Sequence, residues 1–386
     1  MRTINPAAQQ FERILLIKPS AFGDVLHTVP VLVKLRARFP AARIDWLITP
    51  ENAELVRYHP ALSNVVLFAR RDYARFGRNW PATAGLLRLL KTLWQTHYDL
   101  VIDLHGQLRS ILFTLATRAR VRIGFDRPRQ FLGDLPHPAG KEACRHGWNG
   151  AREGSWMAYS HRMPLLDLHV HAVDRYLWLS PLLGLDAGPP DFRIYWPPAA
   201  EAQAQSLLDQ HGLADKPFAL LVPGTIWQTK HWQIEGFAEV GRFLIQSGLA
   251  VVLGGSSKDR LRCRAVAAAC PGACDLSGRT TLADFAALMD RARINVTNDS
   301  GSMHLAVALN KPVVSVFGPT DPVRIGPYGR PQAVLQADLP CTPCYLRKIR
   351  HCPHDHACMK QVTGAMVVER VRTTLAEVGW ESRRCG

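Results

Sequence analysis

The chain of 386 residues is long enough for two domains of ordinary size, and a hydrophobic fraction of 47% lets each half bury its own core. Charged residues make up only 20%, which argues against a largely disordered chain. Lysine and arginine number 47 against 32 acidic residues, and the net charge of +15 predicts an anionic partner: a nucleic acid, an anionic lipid or a phosphorylated small molecule. A basic surface that serves only solubility is the alternative.

The apolar runs of the sequence are short. The longest, at 218–222 and 313–317, have the length of strands and fall far below the roughly 18 residues of a membrane-spanning helix. The first residues lack the apolar core of a signal peptide. We therefore expect a cytoplasmic protein that can rest on a membrane surface. Nine cysteines, an odd number, disfavour a disulfide framework.

The first half alternates short apolar strands with longer helical stretches, the pattern of a parallel sheet covered on both faces. Strands are predicted at 14–17, 44–48, 65–68 and 100–103, and helices at 24–39, 81–97, 107–118 and 173–183. Residues 126–164 show little periodicity. Paired prolines at 189–190 and 197–198 mark a linker, because proline continues neither a helix nor a central strand.

The alternation restarts after the linker. Strands are predicted at 219–222, 250–253, 294–296 and 313–317, and helices at 234–246, 258–268, 282–290, 302–309 and 362–378. The predicted domains are residues 1–190 and 199–360, both Rossmann-like, followed by a helix and tail at 361–386. Two such α/β domains predict a cleft between them, with sites at the carboxyl ends of the strands.

Three strand-to-helix junctions carry candidate site residues. At the first, residues 18–27, Gly23 permits a tight turn and Asp24 presents a carboxylate to a ligand crevice. A plain helix cap is the equal alternative for Asp24. At the second, residues 222–232, small and hydroxyl residues with Lys230 suit a diphosphate, although an ordinary loop with a solvated lysine fits as well.

The third junction spans residues 296–304, again a strand that leads into a helix. The N–H groups at such a helix start bind phosphate, and Asn298 and Asp299 can bond to sugar hydroxyls. Helix capping by Asp299 or Ser300, and a core position for His304, are the structural alternatives. No Asp-x-Asp pair occurs, and no G-x-G-x-x-G follows the first strand, which disfavours a dinucleotide oxidoreductase.

The blocks at 17–30, 101–110, 171–175, 297–306 and 317–322, taken in order, resemble the lipopolysaccharide heptosyltransferases of glycosyltransferase family 9. The resemblance runs from about residue 13 to residue 376. It implies a GT-B fold and an inverting transfer of heptose from ADP-heptose to the inner core, without a metal ion or other cofactor.

By this resemblance Asp24 is the general base, in a domain that binds the acceptor. The donor ligands implied, all in the second domain, are Thr225, Lys230, Asp259, Asp299, Ser300, Gly301 and His304. The family's acidic ribose ligand has no clear equivalent in this sequence, and Asp259 is named because it is the only acidic residue in the segment 254–259 after the second domain's second strand.

The acceptor implied is anionic and linked to lipid, which also implies contact with the cytoplasmic face of the inner membrane. Its predicted ligands lie in the first domain: Ser20 and the basic residues Lys18, Arg70, Arg71 and Arg109, with further arginines at 118, 120, 122, 127 and 129. A solvated surface charge is the alternative for any single arginine. A family 9 transfer that uses another sugar or a later core acceptor also remains open.

Four cysteines gather near the end of the second domain: Cys341, Cys344, Cys352 and Cys358. Their spacing admits a structural zinc site, reduced thiols in a packed loop, or a disulfide. A zinc site on a basic chain also fits a nucleic-acid-binding protein. The basic residues form no single helical stripe and are not interleaved with aromatic residues, so we expect no nucleic-acid partner.

Overall fold

A computed structural model describes residues 5–129 and 148–380. The described residues form two compact units, one of residues 5–129 with Trp148–Tyr195, the other of residues 196–380. Residues 130–147, inside the predicted irregular stretch, and the tail at 381–386 lie outside the described residues. Across the described part of the chain, no helix has both the length and the hydrophobicity needed to cross a bilayer.

The first unit is a parallel sheet of six strands in the order β3-β2-β1-β4-β5-β6. Its strands are short and apolar, and β1 is buried from its second residue onward. In chain order the elements are β1 (Arg13–Ile17), α1 (Phe22–Arg38), β2 (Arg43–Ile48), α2 (Pro50–Ala53), β3 (Asn64–Leu67), α3 (Arg70–Tyr73), α4 (Trp80–Gln95), β4 (Leu100–Asp103), α5 (Leu108–Ala116), β5 (Val121–Phe125), β6 (His161–Met163), α6 (Ala172–Leu177) and α7 (Ser180–Leu183).

The second unit repeats this plan, with the strand order β12-β11-β10-β7-β8-β9. The elements are α8 (Pro198–Gln210), β7 (Phe218–Val222), α9 (Ile234–Gln246), β8 (Ala250–Leu253), α10 (Arg260–Ala269), β9 (Ala273–Asp275), α11 (Leu282–Arg291), β10 (Ile294–Asn298), α12 (Gly301–Ala308), β11 (Val313–Phe317), α13 (Pro322–Ile325), β12 (Val334–Gln336), α14 (Ala357–Lys360) and α15 (Gly364–Glu377). The final helix, α15, packs on α9 and its buried residues join the core of this unit.

Both sheets have the same connectivity. In each, the first strand lies between the second and the fourth, because the chain reverses its direction of travel across the sheet after the third strand. Thus β1 pairs with β2 and β4, and β7 pairs with β8 and β10. This is the doubly wound order, whose ligands bind at the carboxyl ends of the two strands that flank the reversal. The predicted fold class, two Rossmann-like parallel sheets, is confirmed.

Several element predictions were wrong in detail. The predicted helix at 173–183 is two short helices, α6 and α7, because Pro181 is tolerated in the first turn of a new helix but not in the interior of one long helix. Helix α8, the four-residue helices α2, α3, α13 and α14, and strands β5, β6, β9 and β12 were missed. In β5, Arg122 and Gly124 interrupt the apolar run. The other three strands have three residues each, too few for a periodic signal.

Candidate functional site

The reversal point of the first sheet carries Asp24. The residue occupies the first turn of α1, where its Oδ2 accepts a hydrogen bond from the Ala21 amide at 3.2 Å. Its Oδ1 accepts a second bond from the Tyr176 hydroxyl at 3.0 Å. The side chain nevertheless remains 41% exposed. Asp24 therefore caps its helix and also presents a carboxylate to solvent, so the two alternatives drawn from sequence do not exclude each other.

A buried lysine lies beside this carboxylate. Lys18 follows β1, and its Nζ lies 3.6 Å from Asp24 Oδ2 and donates to the Leu104 carbonyl at 3.1 Å. The same ammonium lies 4.9 Å from the centre of the Tyr176 ring. Only 7% of the Lys18 side chain is exposed. Lys18, predicted from sequence as an acceptor ligand, is placed here as the partner of Asp24.

These contacts decide the ionisation of Asp24. Burial raises its pKa, whereas the positive charge of Lys18 lowers it. The Ala21 amide and the Tyr176 hydroxyl also stabilise the charged form, and the net result is a pKa below the ordinary value. Asp24 is therefore ionised at neutral pH, as a group that takes up a proton must be.

His105 follows β4, the strand on the other side of the reversal point. Burial lowers its pKa to about 3, and the charge of Lys18 lowers it further while that of Asp24 opposes the change. Its backbone N–H donates to Asp103, whose other carboxylate oxygen accepts from the Tyr159 hydroxyl at 2.7 Å. His105 is thus neutral and held in place. The sequence analysis did not select it, although it lies inside one of the blocks that carried the resemblance.

A small cavity next to this point is lined by Ser20, Arg70, His105 and Arg109. Burial lowers the pKa of Arg109, and the charge of Arg70 lowers it further, so the two guanidinium groups repel each other. An anion between them would relieve that repulsion. Arg71, the remaining predicted acceptor ligand, does not line this cavity. Its guanidinium is 80% exposed and lies 3.9 Å from Glu51.

Two of the other arginines named from sequence make structural contacts within the first unit. Arg122 donates to the carbonyls of Ala119 and Ala158 at 2.6 and 2.7 Å, so it ties chain segments together. Arg118 stacks on the Trp94 ring, 4.9 Å from its centre. Neither lines the cavity.

The reversal point of the second sheet brings Lys230 and Asp299 together. Lys230 follows β7 and Asp299 follows β10, and their Nζ and Oδ2 atoms lie 2.7 Å apart. The side chains are 11% and 3% exposed, so this is a nearly buried ion pair. The Thr320 hydroxyl donates to the same Asp299 oxygen, and the Thr225 hydroxyl donates to the Asp299 carbonyl at 3.3 Å. Three predicted donor ligands are therefore in direct contact.

Helix α12 begins beside this pair. Ser300 is its N-cap residue, and in the described part of the chain its side chain makes no capping bond and its buried Oγ has no hydrogen-bond partner. The first N–H groups of α12, starting at Gly301, are therefore available to an anion. His304, on the next turn, is half-buried. The helix start has the features of a phosphate site.

Asp259 lies at the carboxyl end of β8. Its Oδ2 accepts from the amide and the hydroxyl of Ser256 at 2.8 and 2.6 Å, which caps a short 3-10 turn. Its carboxylate packs so closely on Gly224 that there is no room for a Cβ at that position. Asp259 therefore borders the Thr225 loop, while its role toward a nucleotide stays a prediction.

The cysteine-rich segment supports the Lys230 turn. The Thr229 hydroxyl donates to the Leu346 carbonyl, and the Thr229 carbonyl lies 2.7 Å from His356 Nε2. Burial raises the pKa of Cys358 to about 12, and the neighbouring Cys344 and Cys352 add to this. The residues that the structure describes contain no group of three or more His, Cys, Asp or Glu able to hold a metal ion.

Two more residues lie in this region and were not selected from the sequence, the aromatic Trp227 and the cationic Arg347. The Trp227 ring faces Lys230 Nζ at 4.4 Å and the Arg347 guanidinium at 4.7 Å. Both cations interact favourably with the ring. Trp227 lay within the second junction but carried no signal of its own. Arg347 lies in the cysteine-rich segment, and only the fold brings it near β7.

Comparison with known proteins agrees with this geometry. Residues 86–135 and 138–353 match the family model described as glycosyltransferase family 9 (heptosyltransferase). Lipopolysaccharide heptosyltransferase 1 of Pseudomonas aeruginosa is 32% identical over 346 residues, which cover 88% of each chain. The chain belongs to glycosyltransferase family 9.

This family 9 glycosyltransferase is also 27% identical to lipopolysaccharide heptosyltransferase 1 of Escherichia coli K12 over 331 residues, 84% of this chain and 93% of that one. A solved structure of E. coli heptosyltransferase WaaC with ADP superposes on it with a TM-score of 0.71 at 25% identity, covering 94% of this chain and 99% of that chain. The resemblance drawn from sequence is confirmed. The chain is an enzyme, and the predicted glycosyltransferase class is correct.

Proposed function

We propose that this glycosyltransferase moves a heptose from ADP-heptose to the anionic, lipid-linked inner core of lipopolysaccharide. The proposed donor is supported by the similarity to a protein solved with ADP and to relatives named lipopolysaccharide heptosyltransferase 1. The observation that carries the proposal is an ionised, partly exposed Asp24 beside a cavity lined by Arg70 and Arg109. This arrangement puts two cationic side chains near a carboxylate that can take a proton from an acceptor hydroxyl.

The reaction proposed is a single in-line displacement. The acceptor hydroxyl oxygen attacks the anomeric carbon of the heptose, and Asp24 takes the hydroxyl proton as the new bond forms. The bond between that carbon and the diphosphate oxygen breaks at the same time, and ADP leaves with the electron pair. One displacement inverts the anomeric centre and needs neither a covalent intermediate nor a second base.

The charge that builds on the departing diphosphate needs stabilisation. Lys230 supplies a positive charge that Asp299 holds in position, and the start of α12 supplies N–H groups oriented before the reaction. Thr225, on the same loop as Lys230, supplies a hydroxyl. These groups take the place of a divalent metal ion, and we propose that the transfer is metal-independent.

The region of β8 and Asp259 completes the donor site in this proposal. Asp259 lies against the Gly224 turn at the neighbouring strand end, which is the position of a ribose ligand in a doubly wound sheet.

In the first unit we propose that Ser20, Arg70 and Arg109 bind the acceptor, with Lys18 acting through Asp24. We propose that Arg71, which is exposed and outside the cavity, contributes only to the positive electrostatic potential around the acceptor site. Residues 1–190 then form the acceptor-binding domain and residues 199–360 the donor-binding domain.

The experiment is product analysis. The purified chain is incubated with ADP-heptose and defined inner-core acceptors that contain either no heptose or one heptose, and the products are identified by mass spectrometry and by the configuration of the new linkage. We expect addition of one heptose to the heptose-free acceptor, with inversion, in the presence of a chelator. Transfer only to the heptose-bearing acceptor would identify a later core enzyme. Activity only with another nucleotide sugar would overturn the donor assignment.

A further inference from the structure

Two neighbouring helices of the first unit expose large apolar side chains. In α4 the exposed residues recur at seven-residue spacing, and in α5 at spacings of four and three, so each set lies on one helix face. Their exposed fractions range from 46% to 76%. Contiguous apolar surface of this kind indicates a binding surface, whereas single exposed residues do not. We call it the α4–α5 face: Trp80, Leu87, Trp94, Leu108, Leu112 and Leu115.

The two rows lie side by side. The opposite side of α4 is buried through Leu86, Leu89 and Leu93, which share one core cluster with Phe113 of α5. The helices therefore pack on the same side of the sheet and direct their remaining faces outward together. At their carboxyl ends Arg118 stacks on the Trp94 ring, 4.9 Å from its centre. The two rows thus lie on neighbouring helices and are joined at their carboxyl ends by this stack.

The two sequence segments that carry this face contain basic residues and no acidic ones. Neither α4 nor α5 contains an aspartate or glutamate, and none occurs from residue 73 to residue 98 or from residue 104 to residue 125. A carboxylate from outside these segments, that of Glu153, accepts a hydrogen bond from the Leu108 amide at 2.9 Å and caps α5. The basic residues of the two segments are Arg75, Arg78, Arg88, Lys91, Arg109, Arg118, Arg120 and Arg122.

We propose that the α4–α5 face docks on the surface of an anionic phospholipid bilayer. Tryptophan and leucine side chains enter the boundary between headgroups and acyl chains, and the surrounding arginines and lysine attract the anionic headgroups. A second copy of this chain fits less well, because a symmetric pairing through this face would bring two cationic surfaces together. Charge complementarity therefore selects the lipid surface.

The face adjoins the acceptor cavity. Helix α5 begins at Leu108, and the next residue, Arg109, lines the cavity with Ser20 and Arg70. A bilayer on the α4–α5 face lies at the entrance for an acceptor that is itself anchored in lipid. This consequence rests on the proposed function, whereas the docking does not.

The test is cosedimentation of the full chain with vesicles. One set contains phosphatidylglycerol and phosphatidylethanolamine, and the other contains phosphatidylcholine alone. We expect binding to the anionic vesicles that weakens with added salt, and much weaker binding to the neutral ones. The double variant Trp94→Ser/Leu112→Ser should lower the affinity for anionic vesicles about tenfold or more, and Lys91→Glu should lower it as well.

Leu261→Ser is the matched control, because Leu261 is 81% exposed on α10 of the second unit. It should bind vesicles like the wild type, and all variants should keep the wild-type unfolding temperature. Undiminished binding by Trp94→Ser/Leu112→Ser would overturn the proposal, as would equal binding to neutral vesicles. A dimer that this variant dissociates would overturn it in favour of self-association.

Transfer assays separate this proposal from the proposed function. With a water-soluble acceptor lacking acyl chains, Trp94→Ser/Leu112→Ser should transfer heptose at the wild-type rate. With an acceptor in vesicles, its rate should fall together with vesicle binding. A wild-type chain that docks through the α4–α5 face but transfers no heptose would overturn the proposed function and support the docking.

Discussion

The Tyr176 hydroxyl donates a 3.0 Å hydrogen bond to Asp24 Oδ1, across 152 residues of sequence. It leaves the other oxygen, Oδ2, to the Ala21 amide and Lys18. The carboxylate is thus fixed by three groups that all favour its charged form. A carboxylate that only capped α1 would need the amide alone, so the contacts with the tyrosine and the lysine support the proposed role of Asp24 as a base.

Asp24→Asn separates the base from the cap. Asparagine caps a helix nearly as well as aspartate but cannot accept a proton at neutral pH, so the unfolding temperature should stay within a few degrees while turnover falls about a hundredfold or more. Donor binding, measured by calorimetry with ADP, should be retained. A nearly fully active variant would leave Asp24 as a cap and make His27 the next residue to test as the base.

Tyr176→Phe tests the pH dependence. The hydroxyl stabilises the charged carboxylate, so its loss should raise the pKa of Asp24 and move the acid limb of the rate profile toward higher pH, by about one pH unit at most for this partly exposed group. In the wild type the acid limb should lie at a pH below the ordinary pKa of an aspartate, because the pKa of Asp24 is lowered. An unshifted limb in Tyr176→Phe would show that another group controls it.

Lys230→Ala should weaken donor binding and slow turnover by roughly tenfold to a thousandfold. It should also destabilise the fold by about 3 kcal/mol or more, because it leaves the nearly buried Asp299 carboxylate without its partner. The double variant Lys230→Met/Asp299→Asn removes both charges and is the control. It should recover much of the unfolding temperature without recovering ADP binding. Recovery of both would assign Lys230 a purely structural role.

Arg109→Ala should raise the Michaelis constant of the acceptor more than that of the donor. The acceptor constant of the wild type should also rise with salt, since exposed charges are screened over about 10 Å at 0.1 M. Arg71→Ala is the matched control: it removes the same charge from a side chain that is 80% exposed and outside the cavity. A donor effect larger than the acceptor effect in Arg109→Ala would place Arg109 at the donor.

His356→Ala tests the support of the Lys230 turn. Loss of the contact between His356 and the Thr229 carbonyl should loosen the turn and raise the donor Michaelis constant several-fold, because the contact helps to orient the neighbouring Lys230.

Elemental analysis of the wild type tests the zinc hypothesis directly. About one zinc per chain, lost together with stability in Cys341→Ser, would support it. Metal-free protein of normal activity would establish the thiols.

The sequence by itself determined the two α/β units and the junctions that bear the site, because continuous apolar strands, helical periodicity and paired prolines are local signals. Asp24, Lys230 and Asp299 could each be selected, since each follows a strand end where a parallel sheet places its ligands. Short strands such as β9 and β12 were missed, since three residues carry no period.

Only the tertiary structure decided how these residues are used. The pairing of Lys230 with Asp299 depends on β7 and β10 being neighbours, and this follows from the strand order rather than from either loop. The contact of Tyr176 with Asp24, and that of His356 with Thr229 across 127 residues, come from packing between distant segments. The charge and pKa of a side chain depend on the groups packed around it, and a sequence orders residues along the chain rather than around a point in space.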